Sequence, residues 1–455
     1  MLEHENSENG GESERTDRFK ELALKYSRFY KGKVNTFPKV PVRSLNDFSI
    51  WYTPGVAAVS LEIARDRDQS FELTGRWNST AILTDGTRVL GLGNVGPEAA
   101  MAVMEGKALI FNYLGAVNAI PIPVRAADRE QFIGVAKALE PSFGGYNLED
   151  IESPKCFYIQ EKLQQELNIP VWHDDQLGTA CITLAGLINA LRVVDKKLKD
   201  VKVVLMGSGA ANIATAKLII AAGVRAGNIR MVDSGGVIDS ERKDLDSMMI
   251  NNPWKYELAL STNSDRIKGE ASKAFEGADV VLSASRQGPG TIRPEWIRSM
   301  NGKGIVFALA NPVPEIWPRL ALESGAAVVS TGRSDFPNQI NNSLVFPGVF
   351  RGALDARATG VNIEIMLSAS REIADFVSDP GPERIVPTME EWELYPRVAS
   401  AVAAKASEMG LARKSGSREF FFKTAHELIE SNRNMYRRML EEKYIRNLPG
   451  GGEDE

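Results

Sequence analysis

The chain has 455 residues, which at about 150 residues per domain is enough for two or three domains with cores of their own. Apolar residues make up 43% and charged residues 25% of it, so it is neither largely disordered nor collagen-like. A formal net charge of −5, from 54 basic and 59 acidic residues, gives no bulk positive field to attract nucleic acid or an anionic membrane surface. We therefore expect chemistry on a small molecule.

The compartment is indicated by the cysteines and by the N-terminal residues. Only Cys156 and Cys181 occur, and they form no C-x-x-C pair, which suits a reducing compartment. Residues 1–20 are polar and acidic rather than signal-like, and no uninterrupted apolar run approaches the roughly 18 residues of a membrane helix. We expect a cytoplasmic protein with no membrane partner.

Residues 1–15 and 447–455 contain almost nothing to bury, and we predict disordered tails there. In the stretch 81–93, two apolar runs flank Asp85-Gly86, a dipeptide favoured in tight turns, and predict a hairpin of two strands. A helix is predicted to begin at Pro97, since proline is tolerated in the first turn of a helix.

Further along the chain, short apolar strands alternate with helices. The first group of these elements comprises strands at 119–124 and 169–172 and helices at 156–167 and 179–194. From 201 to 311 the alternation becomes regular, which predicts a parallel sheet covered on both faces, and helices follow to the C-terminus.

These patterns predict an α/β fold, in which an N-terminal α/β substrate domain precedes a Rossmann-type, doubly wound parallel-sheet domain and C-terminal helices. The predicted divisions are 1–15 (tail), 16–175 (N-terminal domain), 176–342 (Rossmann domain), 343–446 (helices packing back on the N-terminal domain) and 447–455 (tail).

A glycine fingerprint indicates a dinucleotide site. Gly207-Ser208-Gly209-Ala210-Ala211-Asn212 follows the apolar strand VKVVLM and opens a helix, and Asp233 ends the next strand. Glycines let the backbone approach a pyrophosphate, the helix N-terminus is partly positive, and the acid accepts ribose hydroxyls. Asn212 departs from the usual Gly or Ala. A second fingerprint, Gly91-Leu92-Gly93-Asn94-Val95-Gly96, lacks the following acid and is not assigned to a nucleotide.

Two acidic pairs, Glu149-Asp150 and Asp174-Asp175, are predicted at the ends of elements. Clustered carboxylates need a cation, and hard oxygen ligands favour magnesium or manganese over zinc. Solvated loop acids and a helix cap are the alternative. His173 is a candidate base by its ordinary pKa, but a structural histidine is the favoured interpretation at this position.

Further candidates lie outside the acidic pairs. Lys107 lies in an apolar helix, where desolvation would lower its pKa and suit a general base; a snorkelling lysine is the alternative. Tyr52 precedes a proline and is either functional or a buried tyrosine. Asn311 ends a strand of the predicted parallel sheet, and Asn342 follows a turn-rich stretch.

Together, six stretches resemble the malic enzyme family, specifically its short prokaryotic and archaeal form: WYTPGV, TDGTRVLGLGNVG, VMEGKA, IPVWHDDQLGTA, ALANPVPE and TGRSDFPNQINNSLVFPGVFRGALDARA. The resemblance runs from about 40 to about 400. It implies oxidative decarboxylation of L-malate to pyruvate and CO₂ with NAD or NADP and Mg²⁺ or Mn²⁺. A homo-oligomer, either a dimer or a dimer of dimers, is expected.

The resemblance also implies roles for individual residues. Tyr52 matches the general acid, Lys107 the general base and Asp174 an acid that supports the lysine. The residues matching the metal ligands are Glu149, Asp150 and Asp175. The residues matching those around the substrate carboxylates and the nicotinamide are Arg88, Asn311 and Asn342.

Two other functions stay open: conversion of malate to lactate by a malolactic enzyme that retains its cofactor, and nucleotide sensing by a catalytically inactive scaffold. The cofactor is also open. Asp233 favours NAD over NADP because it would repel a 2′-phosphate, and Gly235 offers no cation. Arg242 and Lys243 are the candidates for pairing with such a phosphate.

Overall fold

The computed structural model describes residues 18–89 and 91–447, so the predicted tails lie outside the described residues apart from Asn447. The strands of the described chain are β1 (Ser79–Thr84), β2 (Asn118–Pro123), β3 (Gly145–Leu148), β4 (Val171–His173), β5 (Val203–Met206), β6 (Ile229–Asp233), β7 (Gly236–Val237), β8 (Val280–Ser283), β9 (Gly304–Ala308) and β10 (Ala326–Thr331). Its helices are α1 (18–30), α2 (Phe48–Trp51), α3 (Val56–Arg65), α4 (Ser70–Leu73), α5 (Gly96–Gly115), α6 (Arg129–Leu139), α7 (Lys155–Glu166), α8 (Thr179–Val194), α9 (Ala210–Ala222), α10 (Leu245–Asn251), α11 (Pro253–Ser261), α12 (Ala271–Phe275), α13 (Pro294–Arg298), α14 (Pro318–Glu323), α15 (Phe346–Asp355), α16 (Ile363–Phe376), α17 (Leu394–Glu408) and α18 (Arg418–Glu441).

The first sheet has four parallel strands in the order β2-β1-β3-β4. Leu83 of β1 pairs with Ile122 on one side and with Leu148 on the other, and Leu148 pairs with His173 of β4. Neighbouring parallel strands end at the same edge of a sheet. The residues that follow β3 and β4 therefore lie side by side.

The predicted hairpin at Asp85-Gly86 is wrong. Both neighbours of β1 are parallel strands from later in the chain. Between Gly86 and α5, the pairing seen among the described residues is an isolated bridge between Val89 and Gly93. Gly86 has φ +68°, and a side chain there would overlap the carbonyl of Gly96 at the start of α5. Gly86 therefore packs against the start of α5, near the beginning of the connection 85–95 between β1 and that helix, instead of forming the turn of a hairpin.

The second sheet has six strands in the order β10-β9-β8-β5-β6-β7, parallel except for the short β7. Val203 and Leu205 belong to one buried cluster and Val204 to another, so both faces of the sheet are covered. The strand order changes direction at β5, between β6 and β8, and ligands of open α/β sheets bind at the carboxyl ends of strands at such a point. The predicted fold class is confirmed.

The C-terminal helices pack on α5 of the first part of the chain. The ring of Phe111 lies 4.5 Å from that of Phe346 and 5.0 Å from that of Phe350, and the Asn432 amide donates to the carbonyl of Asn112 at 2.8 Å. The predicted domain boundaries themselves stay a prediction.

One helical segment of the described chain, Asp174–Val194, is long and apolar enough to cross a membrane. Of its most apolar window, 72% is buried inside the protein. Packing in the core therefore accounts for its composition.

Candidate active site

The carboxylates predicted as metal ligands are brought together where β3 and β4 end. Glu149 and Asp150 directly follow β3, and Asp175 is the second residue after the end of β4. One oxygen from each of these carboxylates lies within 4.8 Å of the others. The backbone N–H of Asp150 donates to Asp175 Oδ2 at 3.0 Å, which ties the two strand ends together.

The charges of this cluster fit a divalent cation. Burial raises the pKa of Glu149 well above its ordinary value, and the nearby Asp175, Asp174 and Asp150 raise it further, against the opposing effect of Lys107. Three hard oxygen donors that repel one another match the ligand chemistry of Mg²⁺ or Mn²⁺. A cation there would offset the repulsion among these carboxylates.

Lys107 extends from α5 into the same cluster. Its Nζ lies 2.9 Å from Oε1 and 2.8 Å from Oε2 of Glu149, pairs with Asp174, and sits 4.3 Å from the ring centre of Phe346. Burial lowers the pKa of Lys107, but the two carboxylates more than reverse this effect and raise it overall. The expected lowering is therefore wrong for the chain by itself, in which Lys107 is an ammonium.

Asp174 is completely buried and is held by neighbours on three elements. Its Oδ1 accepts from the indole N–H of Trp172 at 2.9 Å, and its Oδ2 accepts from the Asn342 amide at 3.1 Å and from Lys107. A side chain at Gly178 would overlap the Asp174 carboxylate. The glycine in the stretch WHDDQLGTA thus leaves room for the acid that pairs with Lys107.

His173 is also buried, with Nδ1 3.9 Å from Asp175 Oδ2. Neither ring nitrogen has a hydrogen-bond partner in the described part of the chain, and burial lowers its pKa. A neutral ring with no access to solvent favours the structural interpretation over a catalytic base.

The glycine fingerprint forms a turn between β5 and α9. Gly207 has φ +98°, and a Cβ there would lie 2.6 Å from the carbonyl oxygen of Ala284, so glycine is required. Gly209 is the N-cap of α9, which begins at Ala210. The Asn212 amide donates to the carbonyl oxygen of Gly207 at 3.0 Å. The departure at Asn212 therefore stabilises the turn instead of disrupting it.

Asp233, at the end of β6, is surrounded by donors. It accepts from the backbone N–H of Gly235 at 2.8 Å and from Arg242 at 2.7 Å, and it pairs with Lys255 of α11. Burial would raise the pKa of Asp233, but Arg242 and Lys255 lower it overall. Of the two candidates for pairing with a 2′-phosphate, Arg242 lies against Asp233 and Gly235, whereas Lys243 is exposed.

Glu315, the last residue of ALANPVPE, was missed by the sequence analysis. It is completely buried and accepts from the Ser283 hydroxyl at 2.7 Å, from Ser285 N–H at 2.9 Å and from Ala310 N–H at 3.0 Å. It thereby joins the loop after β8 to the loop that carries Asn311. Only its place in the quoted motif could have indicated it.

Two predicted residues have side chains at the surface. The side chain of Arg88 is exposed, although its backbone N–H donates to the carbonyl of Asp150 at 2.9 Å. Tyr52 is 70% exposed, and no hydrogen bond joins its hydroxyl to another described residue. The structure therefore unites Lys107 with the acids, but does not bring Tyr52 into contact with them.

A Rossmann-type sheet accompanies a second parallel sheet, whose strand ends carry a carboxylate cluster that a lysine reaches from α5. This combination defines a dinucleotide-binding protein with a candidate metal site. The sequence matches the malic enzyme N-terminal domain over residues 31–131 and the malic enzyme NAD-binding domain over residues 177–408.

Individual relatives agree with these matches. The chain is 49% identical to the NAD-dependent malic enzyme of Geobacillus stearothermophilus, over 84% of this chain and 78% of the relative. It is 46% identical to the bifunctional malic/malolactic enzyme of Bacillus subtilis, over 87% of this chain and 94% of the relative. The crystal structure of malic enzyme from Pyrococcus horikoshii superposes with a TM-score of 0.87 at 45% identity, covering 90% of this chain and 95% of that one. The chain belongs to the malic enzyme family.

Proposed function

We propose that the protein oxidatively decarboxylates L-malate to pyruvate and CO₂, using NAD or NADP and Mg²⁺ or Mn²⁺. The observation that carries the proposal is the contact of Lys107 with Glu149 and Asp174 beside the other carboxylates, in a chain of this family. The test is a steady-state assay with malate, each cofactor and each cation, in which pyruvate and reduced cofactor form in equal amounts. Absence of pyruvate under all these conditions overturns the proposal.

The roles of the chain's residues follow from their positions. A divalent cation held by Glu149, Asp150 and Asp175 would polarise the C2 oxygen of malate and accept negative charge during decarboxylation. Lys107, once neutral, takes the proton of the C2 hydroxyl. Asp174 keeps the amine pointed at that position, and Tyr52 returns a proton to C3.

The malolactic alternative is supported by the name of the Bacillus subtilis relative alone. Retention of the cofactor would give lactate and no accumulated NADH, so product analysis separates the two reactions. The inactive-scaffold alternative expects loss of a catalytic group. Tyr52, Lys107 and the metal acids are all present in the sequence.

Metal binding should depend on pH through Glu149. Because its folded-state pKa is raised, the proton that it binds stabilises the folded chain at low pH, and this stability is lost as the pH rises through the raised value. A divalent cation replaces that proton and binds better as the pH rises. We expect the rise in melting temperature on exchanging EDTA for Mn²⁺ to be larger at about pH 8 than at about pH 5.5. In Glu149→Gln the difference between the two pH values should disappear; an equal rise at both pH values in the wild type contradicts the prediction.

The N-terminal segment indicates a homodimer, which is part of the proposal. Neither α2 nor α3 has a buried residue. The large apolar side chains exposed in this segment, which we name the N-terminal apolar surface, are Val34, Phe37, Val40, Val42, Leu45, Phe48, Ile50, Trp51, Tyr52, Val56, Val59 and Leu61. Monomers rarely expose so much apolar area. We infer that a second copy covers this surface and that Tyr52 completes the site of that copy.

A cytoplasmic location is likewise proposed, consistent with Cys156 and Cys181 being free and buried.

Mixing two inactive variants tests whether Tyr52 acts across the dimer. Tyr52→Phe and Lys107→Met should each lack malate decarboxylation, whereas unfolding and refolding them together should restore about a quarter of wild-type activity, since half of the dimers are hybrids with one intact site each. Each variant refolded alone is the control. No recovery in mixtures shown to contain hybrids would mean that Tyr52 and Lys107 act within one chain.

A further inference from the structure

Glu315 links the carboxyl ends of two neighbouring strands of the second sheet. Its Oε1 accepts from the Ser283 hydroxyl at 2.7 Å and from the Ser285 N–H at 2.9 Å, at the end of β8. Its Oε2 accepts from the Ala310 N–H at 3.0 Å, two residues beyond β9. β8 and β9 are parallel neighbours, and ligands of such sheets bind at this edge. The buried acid thus holds together two loops of the edge where a dinucleotide is expected.

The contact of Glu315 with Ala310 requires a carboxylate. Both oxygens of Glu315 accept, whereas a glutamine has one carbonyl oxygen that accepts and one amide nitrogen that donates. With that oxygen on the side of Ser283 and Ser285, the nitrogen would face the Ala310 N–H, and two donors would be buried against each other. A glutamine can therefore keep the contacts with β8 but loses the contact with the loop after β9.

Asn311 directly follows Ala310 and depends on its own backbone for its position. Its side chain has no hydrogen-bond partner among residues 18–89 and 91–447. A Cβ on Gly332, just after β10, would overlap Asn311 Nδ2. On the other side of the loop, a Cβ on Gly91 would lie 3.6 Å from Pro312 Cδ. The loop of Asn311 therefore lies between the end of β10 and the second glycine fingerprint, and a shift of its backbone moves the amide.

We propose that Glu315 is a positioning residue for the oxidation step: through the Ala310 N–H it fixes the backbone that carries Asn311. This inference rests on the proposed function, in which Asn311 lies beside the nicotinamide and the substrate. Glu315 itself is completely buried and touches neither of them. Its effect on the rate therefore passes through Asn311, and misplacement of a positioned group by about 1 Å can slow a reaction by about 100-fold.

The two loops have further connections that do not involve the Glu315 side chain. The Gly288 N–H donates to the carbonyl of Val313 at 3.2 Å, and the Ile292 N–H donates to the carbonyl of Glu315 at 3.1 Å. These backbone bonds remain when the carboxylate is replaced. Glu315→Gln is therefore expected to shift Asn311 without unfolding the loop.

A double-mutant cycle tests whether Glu315 acts through Asn311. Glu315→Gln should lower kcat for malate oxidation by about 10- to 100-fold. In an Asn311→Ala background the same change should lower kcat by no more than about 2-fold, because the group that it displaces is already gone. Losses that multiply in the double variant, or an unchanged kcat in Glu315→Gln, would overturn the proposal.

The matched control is Asp279→Asn. Asp279 is a buried acid at the opposite end of β8, where it accepts from Lys196 and from the Lys202 N–H at 2.8 Å each. Its replacement should lower the melting temperature and leave kcat unchanged. If Glu315→Gln behaves in the same way, with a lower melting temperature and a wild-type kcat, Glu315 only supports the fold.

A binding measurement separates this inference from the proposed reaction, since it needs no malate. In calorimetric titrations of the full chain, Glu315→Gln and Asn311→Ala should each weaken NADH by about 5-fold, as for loss of one hydrogen bond. Adenosine 5′-monophosphate, which lacks the nicotinamide, should bind both variants as it binds wild type. Unchanged NADH affinity in Glu315→Gln, or equal weakening of both ligands, would overturn the role of Glu315. A wild type that binds NADH but does not oxidise malate would contradict the proposed function instead.

Discussion

Replacing Lys107 by methionine is expected to reduce malate oxidation by about 10²- to 10⁴-fold, the range for loss of a positioned general base. Lys107 is the amine that the structure places against Glu149 and Asp174, so it is the group suited to take the C2 hydroxyl proton. Reduction of oxaloacetate should fall with it, because the reverse step needs the same residue as an acid. The measurement is the initial rate of each partial reaction under saturating cofactor and cation.

The control must show that the loss is chemical rather than structural. Lys162→Met removes a lysine that pairs with Glu166 on the surface of α7 and should keep wild-type rates. In the Lys107 variant, dinucleotide binding should also persist, since the glycine turn lies on the other sheet. Malate oxidation at a near wild-type rate would identify Lys107 as a structural ion-pair partner of the two acids.

Strongly local patterns predicted the elements that position the site. The apolar stretch 179–194 became α8 with the same bounds, and the strand predicted at 169–172 overlaps β4 (Val171–His173) at two residues. The sequence placed Asp174-Asp175 after an apolar strand and Glu149-Asp150 at the end of a loop, without predicting β3. The meeting of Glu149 and Asp175 at one edge of the sheet is therefore a finding of the structure. The role of each acid nevertheless came from the family resemblance, and it stays a prediction.

The errors arose where distant residues decide the structure. Asp85-Gly86 carries the local signal of a hairpin, but β1 pairs with strands that come tens of residues later, and such pairing leaves no mark on a dipeptide. The pKa of Lys107 was misjudged for the same reason: the apolar helix was visible in the sequence, whereas the two carboxylates beside the amine belong to other elements.

Lys255 was missed because its partner lies on another element. It stands in the first turn of α11, where the sequence PWKYELALS resembles any helix start. Its significance comes from the contact with Asp233 at the end of β6. The sequence analysis also allowed Tyr52 to be a buried tyrosine, but its side chain is exposed. This exposure is one reason to infer that a second copy of the chain covers it.

The metal site gives the second large effect. Asp175→Asn should lower metal-dependent turnover by about 10²- to 10³-fold, because a loss of several kcal/mol of charge stabilisation by the cation is expected when one ligand is weakened. The same variant removes a carboxylate that raises the pKa of Glu149 by repulsion. In EDTA its melting temperature should therefore be equal to or higher than that of wild type, while the rise produced by Mn²⁺ should be largely lost.

An unchanged melting temperature in EDTA together with a lost response to Mn²⁺ identifies a metal ligand. Replacing a residue that only supports the fold would lower the melting temperature in EDTA as well. Glu152→Gln is the matched control, since Glu152 is an exposed acid in the loop just after Glu149 and Asp150; it should retain both turnover and the response to Mn²⁺. Undiminished activity of wild type after exhaustive chelation, or of Asp175→Asn at limiting Mn²⁺, would show that the reaction needs no cation at this carboxylate cluster.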